Sequence, residues 1–546
     1  MNLTWHIVKK DLRALKWPLL LWLLLIVTKL GIGVALLNAD GREGVEWFAK
    51  MDALSKGLTA FEFISFVLVA ALIQEDLLVG TTAFWMTRPI SGARLLRAKL
   101  LSIGLVFGFM PVLVTLPWWL GCGYGLREIA WAAAETVAAQ AIAVLLGLLW
   151  AVVTDGFARF LMWTLVMLFA IPTLTGTLAY YLTRGQPSPT SDLVTTRLTV
   201  GFILAVLGIA VVVVHQFLTR RTGRSIAVIG VTAGLIIGVG VWWPWTWGIE
   251  SRVYSYLIRQ AEGEWPAAAE PAGLKFTQVS AQLPLPRPGA RAGRSSVLQT
   301  KYRVEGLPES AGLLAYYSNH TWRWPDGTIR QGYTWSRSDL AELAAEKALG
   351  MALKTAPAGQ YADTVTTSAG VPTATVERLR AEPPAYTLEA RLRLIKFETP
   401  TAVPLQAGPR TLKEGLGERI AGVEKSGEEL LVTYIRHFPS LLVHTAGGGQ
   451  LAPYGEFSQY FLVSRARDFV DHGSSQDYRL TQIGTVGISW QTMKYRASKK
   501  GGGSRPLLEA INALNDAELF KVTFVEQARF THEIKVDPFT LDPATP

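Results

Sequence analysis

The stretch Ser225–Trp245, SIAVIGVTAGLIIGVGVWWPW, contains no charged residue. A helix needs about 20 residues, each rising about 1.5 Å, to cross the apolar part of a bilayer. The stretch is glycine-rich but long enough and charge-free, and it reads as a membrane span. This reading decides the architecture, because the segment closes a series of spans. Whether that series is odd or even determines on which side of the membrane the remaining 300 or so residues lie.

Six more segments precede it: Trp17–Leu37, Thr59–Leu78, Leu100–Leu120, Ile129–Val153, Phe160–Leu182 and Leu198–Leu218. Each must be helical, because an isolated apolar segment in lipid has to satisfy its own backbone. Pro111, Pro117 and Pro172 predict kinks. Trp118, Trp119, Trp242, Trp243, Trp245 and Trp247 stand at span ends, where amphipathic rings favour the interface. After Ser251 the apolar blocks stop. The 546-residue chain is 50% hydrophobic, too apolar for a soluble protein, and the excess lies in its first 245 residues or so.

The cations set the direction. With the N-terminus in the cytoplasm, twelve lysines and arginines fall in cytoplasmic segments, including Lys9, Lys10, Arg13, Arg94 and Arg159. Only six fall in the short loops on the other side. The asymmetry predicts a cytoplasmic N-terminus, and seven crossings place everything after Trp247 outside. It also accounts for part of the net charge of +10. Without aromatics interleaved among basic clusters, that charge does not suggest nucleic acid as a partner. The single cysteine, Cys122, excludes an intramolecular disulfide. No small-residue cleavage site follows the first apolar run, so the start does not read as a signal peptide.

Between the second and third spans runs Gln74–Leu101, QEDLLVGTTAFWMTRPISGARLLRAKLL. Glu75 and Asp76 sit at a helix end, and Arg88, Arg94, Arg97 and Lys99 follow. Pro89 blocks continuation of the second span, and Ser91 is a suitable N-cap for a short helix over Gly92–Leu100. Glu75, Gly80, Thr81, Pro89, Ile90, Ser91 and Lys99, in this order, resemble the pattern of permease subunits of ABC-2-type exporters over roughly residues 1–220. Many of those proteins carry a cation directly after the serine; this chain has Gly92 there and Arg94 two residues later. The resemblance implies an amphipathic interface helix before the first span, which "LRALK" at Leu12–Lys16 fits. It also implies a coupling helix near residues 88–99, a dimer of permeases and a separate ABC ATPase subunit that binds ATP and magnesium. The expected coupling residues are Glu75, Arg88, Pro89, Ser91, Arg94, Leu95, Leu96 and Lys99. An ordinary basic loop touching anionic lipid is the other reading of this segment.

Within the spans, Lys29 either snorkels to the outer surface or pairs with Glu62, which lies at a compatible depth. Glu135 and Gln140 line an interior path or join helices to one another. The chain has no G-x-x-x-x-G-K-S/T loop and no H-E-x-x-H, and its seven histidines lack metal-ligand spacing. It is therefore expected not to be an enzyme and to bind no cofactor of its own.

Residues 248–273 read as a surface helix and linker. Period-two alternation then recurs, as in VLQTKYRVE from Val297 and LLVTYIRHF from Leu430, and predicts β-sandwich-like sheet. One helix is expected from Ser338, and EPPA at Glu382–Ala385 is read as a boundary between two β-rich domains, 274–383 and 384–546. The fold class expected is thus an α-helical polytopic membrane domain, residues 1–247 with about seven spans, followed by a mainly β extracytoplasmic portion. The function expected is the permease of an ATP-driven transporter, an exporter in a bacterial cytoplasmic (inner) membrane. The alternative is a membrane-anchored ligand-binding or sensor protein without transport activity.

Overall fold

The computed structural model of the chain describes residues 3–41, 44–62, 64–75, 91–166, 191–242, 273–282, 296–327, 329–335, 343–351, 364–371, 378, 385–413, 416–427, 429–439, 456–467, 469–496, 512 and 514–536. The helices are α1 (Leu3–Ala14), α2 (Lys16–Asn38), α3 (Gly44–Glu62), α4 (Ile64–Gln74), α5 (Gly92–Ile103), α6 (Met110–Gly121), α7 (Leu126–Val153), α8 (Phe157–Val166), α9 (Ser191–Thr219) and α10 (Thr222–Trp242). Among the described residues, six stretches are long and apolar enough to cross a membrane, beginning at Lys16, Gly44, Gly92, Leu126, Thr199 and Thr222. Of the expected fifth span, only the residues within α8 are described; Pro172 and the rest lie outside the described residues.

Helices such as α2 are apolar on all sides, and spacing decides which side packs. On α2 the buried residues Trp22, Ile26, Lys29, Gly33 and Leu36 recur every three or four positions, while Leu20, Leu24 and Val27 face outward as lipid would require. The third span is one unit from Gly92 to Gly121, so the expected short helix at Gly92–Leu100 is the first part of that span. Ser91 occupies the N-cap position with extended backbone, but its hydroxyl caps nothing. Between α5 and α6 the turn widens to a π-helix over Gly104–Phe109, just before Pro111. Pro111 has no N–H to donate, and its ring would press on the carbonyl four residues back, which the wider turn accommodates. α9 and α10 form a tight hairpin through Arg220, whose φ of 58° is left-handed.

The second half is sheet. Its strands are β1 (Lys275–Gln282), β2 (Ser296–Glu305), β3 (Ala311–Arg323), β4 (Ile329–Trp335), β5 (Thr364–Val371), β6 (Ala385–Phe397), β7 (Thr401–Val403), β8 (Thr411–Lys413), β9 (Leu416–Ser426), β10 (Glu429–Pro439), β11 (Glu456–Ser464), β12 (Phe469–Asp471), β13 (Ser474–Ile483), β14 (Val486–Arg496) and β15 (Glu518–Val536). A five-stranded sheet runs β13-β14-β10-β9-β8, and a seven-stranded sheet runs β12-β11-β15-β6-β3-β4 with β7 also on β15. β1, β2 and β5 form a third, smaller sheet. Every pairing is antiparallel.

These elements stack in layers. Leu430, Val432 and Tyr434 of β10 meet Leu462 of β11 and Leu519 of β15, forming the core between the two larger sheets. The other face of the five-stranded sheet, with Ile435, Ile483, Ile488 and Trp490, lies on Leu36, Phe48, Trp118 and Trp119 of the helices. The far face of the seven-stranded sheet is covered by the short helical turn around Ala345–Leu349, within the helix expected from Ser338. The five-stranded sheet is thus covered on both faces, which removes the alternation from Val486–Trp490, a run buried without a break.

The boundary expected at residues 383–384 falls between two strands that pair in one sheet. β6, after it, bonds along its length to β3, before it, and also to β15. A domain division there would cut through the middle of one sheet. The surface helix and linker expected at 248–273 lie, apart from Gly273, outside the described residues.

Candidate coupling site and the helix-to-sheet joint

α1 is amphipathic and cationic, yet its apolar stripe carries one acid. Ile7, Val8 and Asp11 are its buried residues, and Asp11 is 1% exposed. The partner is Lys99 of α5, also 1% exposed, whose Nζ lies 2.9 Å from Asp11 Oδ2. The same ammonium donates to the Leu72 carbonyl near the end of α4 at 2.7 Å. One buried cation thereby ties α1, the end of α4 and the start of the third span. Two charges out of water are tolerated only as a well-bonded pair, and removing one partner strands the other.

The other expected coupling residues divide. Leu95 is 2% exposed and packs into the helix core with Ala98, while Leu96 packs partly against it. Leu95 is therefore turned into the helix core, on the same stripe as Lys99. Arg94 and Arg97 are exposed. Glu75 lies 3.9 Å from Lys10 of α1 as a half-exposed pair, and Gln74 donates to Thr154 at 2.9 Å. Arg88 and Pro89 lie outside the described residues. Gly92, where the exporter pattern has a cation, has a packing reason. A Cβ there would stand 2.2 Å from the Phe217 carbonyl oxygen of α9. Only glycine lets α5 and α9 approach so closely.

Inside the bundle, Lys29 is 7% exposed on the packed face of α2. Glu62 closes α3, but its side chain is outside the described residues, so the expected pair is not placed. Glu135 and Gln140 are half-buried on α7, and Gln140 Oε1 is buried without a hydrogen-bond partner.

At the opposite helix ends, the five-stranded sheet supplies donors to backbone carbonyls. Arg419 donates to Ala39 just beyond α2, and Arg410 donates to Gly121 at the end of α6 at 2.6 Å. His437 Nε2 donates to Cys122 at 3.0 Å. Trp118 and Tyr124 return the bonds, donating to the Ile483 and Thr485 carbonyls at 3.3 and 3.0 Å. The last carbonyls of a helix have no intrahelical partner and carry its negative dipole end, so they attract such donors. Trp118 and Trp119, expected at a lipid interface, are buried in this joint instead. Because a carbonyl only accepts, the His437 proton sits on Nε2, leaving Nδ1 unprotonated, buried and without a partner. Burial pushes its pKa down to about 4 against the bond to Cys122, and the Arg410 charge adds to the lowering. Gly417 makes room for the ring, since a Cβ there would lie 1.9 Å from His437 Cε1.

Asp11, Arg410, Arg419 and His437 were not singled out by sequence. Asp11 had a visible signal, an acid spaced with Ile7, Val8 and Leu15 on the apolar stripe of a basic segment. No group of three or more potential metal ligands occurs among the described residues. No family model matches the chain, and no curated protein matches it.

Proposed function

We propose that the chain is the permease subunit of an ATP-driven transporter, working as an exporter, with ATP and magnesium bound by a separate ABC ATPase. The observation that carries this reading is the third span. Its first turns are locked to α1 and α4 through Lys99, while its other end is bonded to the five-stranded sheet at Gly121 and Cys122. A push on the Arg94–Arg97 surface would pass along one element to the sheet layer. Lys9, Lys10 and Arg13 of α1 are exposed beside it and widen the cationic face that a partner would meet.

In this reading the Lys99 end faces the cytoplasm of a bacterium, and the sheet layer lies outside its cytoplasmic membrane. α7 ends beside Gln74 at the Lys99 end, and the end of α9 lies against Gly92 there, so α9 begins at the opposite end. This supports a fifth passage between them and seven in total. A second copy of the permease would complete the path.

The test is co-isolation from native membranes in mild detergent. A P-loop ATPase should accompany the chain in stoichiometric amount and hydrolyse ATP, and Arg94→Glu with Arg97→Glu should release it. Stoichiometric isolation of the folded chain with no ATP hydrolysis overturns the reading and favours the anchored ligand-binding alternative.

A further inference from the structure

The core between the two larger sheets changes character along its length. On β10 the residues facing the seven-stranded sheet run Leu430, Val432, Tyr434, Arg436; on β15 those facing back run Leu519, Lys521, Thr523. Beyond Tyr434 and Tyr460, whose ring centroids are 4.7 Å apart, the inner faces are polar and partly open. Glu418 of β9 stands opposite Arg436 in register and accepts from its Nε. The second oxygen of Glu418 lies 3.6 Å from Lys521 Nζ, across the gap between the sheets.

Burial raises the Glu418 pKa, but the charges of Arg436 and Lys521, with hydrogen bonds from Arg436 and Tyr460, outweigh it and hold the carboxyl ionised. Within this triad two cations share one carboxylate, leaving one positive charge in excess. The donors are also unspent. Among the described residues only Nε–H of the Arg436 guanidinium has a protein partner, and Lys521 makes no hydrogen bond. The Arg436 and Lys521 side chains retain 37% and 29% of their exposure. The Nη edge of a guanidinium is a planar fork matched to two oxygens of one oxyanion. Tyr478 of the edge strand β13 shares this face and is 54% exposed, offering a flat apolar surface at the mouth.

We infer that the open end of the sandwich, between Arg436 and Lys521, is a binding site for the carboxylate or phosphate group of a small solute. Glu418 is its internal counter-ion: it orients both cations and leaves room for one more negative charge. The inference does not depend on the transport reading.

Isothermal titration of the full chain in micelles, with inorganic phosphate and separately with succinate at constant ionic strength, tests it. At least one anion should bind saturably at one site per chain, and the stronger identifies the group preferred. Loss of one charge-assisted donor should weaken binding roughly tenfold or more in Arg436→Gln and in Lys521→Gln. Lys521→Arg should bind within about threefold of the parent, because the charge is kept. Lys494→Gln, which alters a different ion pair with Glu429, should not change affinity. If Arg436→Gln does not fold, the two Lys521 variants decide. Heats of dilution alone for both anions, or equal binding by Lys521→Gln and the parent, overturn the site and leave the triad as a brace between sheets.

Discussion

The two ends of the third span are held by opposite means. At the Lys99 end a buried ion pair sits among aliphatic side chains, and the same ammonium also donates to the Leu72 carbonyl. At the sheet end, Arg410 and His437 cover carbonyls at the end of this span, with Arg419 doing the same beyond the neighbouring α2, while tryptophans exclude water. A buried pair fails all at once, whereas a distributed set of neutral and charged donors fails by degrees. One end thus serves as a pivot and the other as a broad seat.

The contrast is tested most strongly by Lys99→Met. It removes the ammonium that faces the buried Asp11 carboxylate and should cost about 3–5 kcal/mol, read as lost folded yield and earlier unfolding in micelles. Asp11→Leu combined with Lys99→Met should recover most of the loss, since a well-packed apolar pair replaces the buried ions. A single Lys99→Met as stable as the parent would show that the pair does not hold α1 in place.

The sheet end should instead respond to acid. The His437 pKa is lowered on folding from 6.5 to about 4, so the unfolded chain binds the extra proton first. The stabilisation is complete above about pH 6.5 and is lost as pH falls toward 4, roughly 3 kcal/mol in all. His437→Gln keeps a donor for the Cys122 carbonyl but does not titrate. Unfolding measured from pH 7 to 4 should therefore show a steeper decline in the parent than in this variant. Equal slopes would remove His437 from the account.

Gly41→Ala should have a smaller effect. The new Cβ would meet the Gly422 Cα at 2.5 Å, backbone against backbone, and push the sheet off the end of α2. About 1–3 kcal/mol is expected, measured by thermal unfolding. Smallest of all is Lys10→Ala, which breaks a half-exposed pair with Glu75 and should change stability by less than about 1 kcal/mol. A larger loss there would mean that the Lys99 end is also held by a distributed set.

Much of the helical half was legible in the sequence because lipid imposes a local rule. Each span must satisfy its own backbone, and six of the seven expected spans coincide with helices long and apolar enough to cross a membrane, differing from them mainly at their ends. The second begins near Gly44 rather than Thr59. The direction in which Leu95 faces was not legible, because an amphipathic segment does not state whether its apolar stripe meets a partner or the chain's own bundle. Alternation revealed the strands, but strand pairing is nonlocal. Nothing near Glu382 indicates that β6 lies beside β3 and β15. The His437 contact was similarly hidden, since its acceptor is 315 positions away in the chain.

The position of β15 sets an order for biogenesis. This 19-residue strand lies inside the seven-stranded sheet, bonded to β11 on one side and β6 on the other. It also follows every other strand among the described residues. While the ribosome is still making the region before it, β3, β4 and β6 expose an open edge and the Phe397 side of an unfinished core. The pairings that β15 supplies are distant in sequence, the slowest kind to form. Membrane insertion of the helices can therefore be finished well before the sheet layer closes. In that interval the nascent chain is most open to proteases and to pairing with another copy, and chaperones on the sheet side would act then.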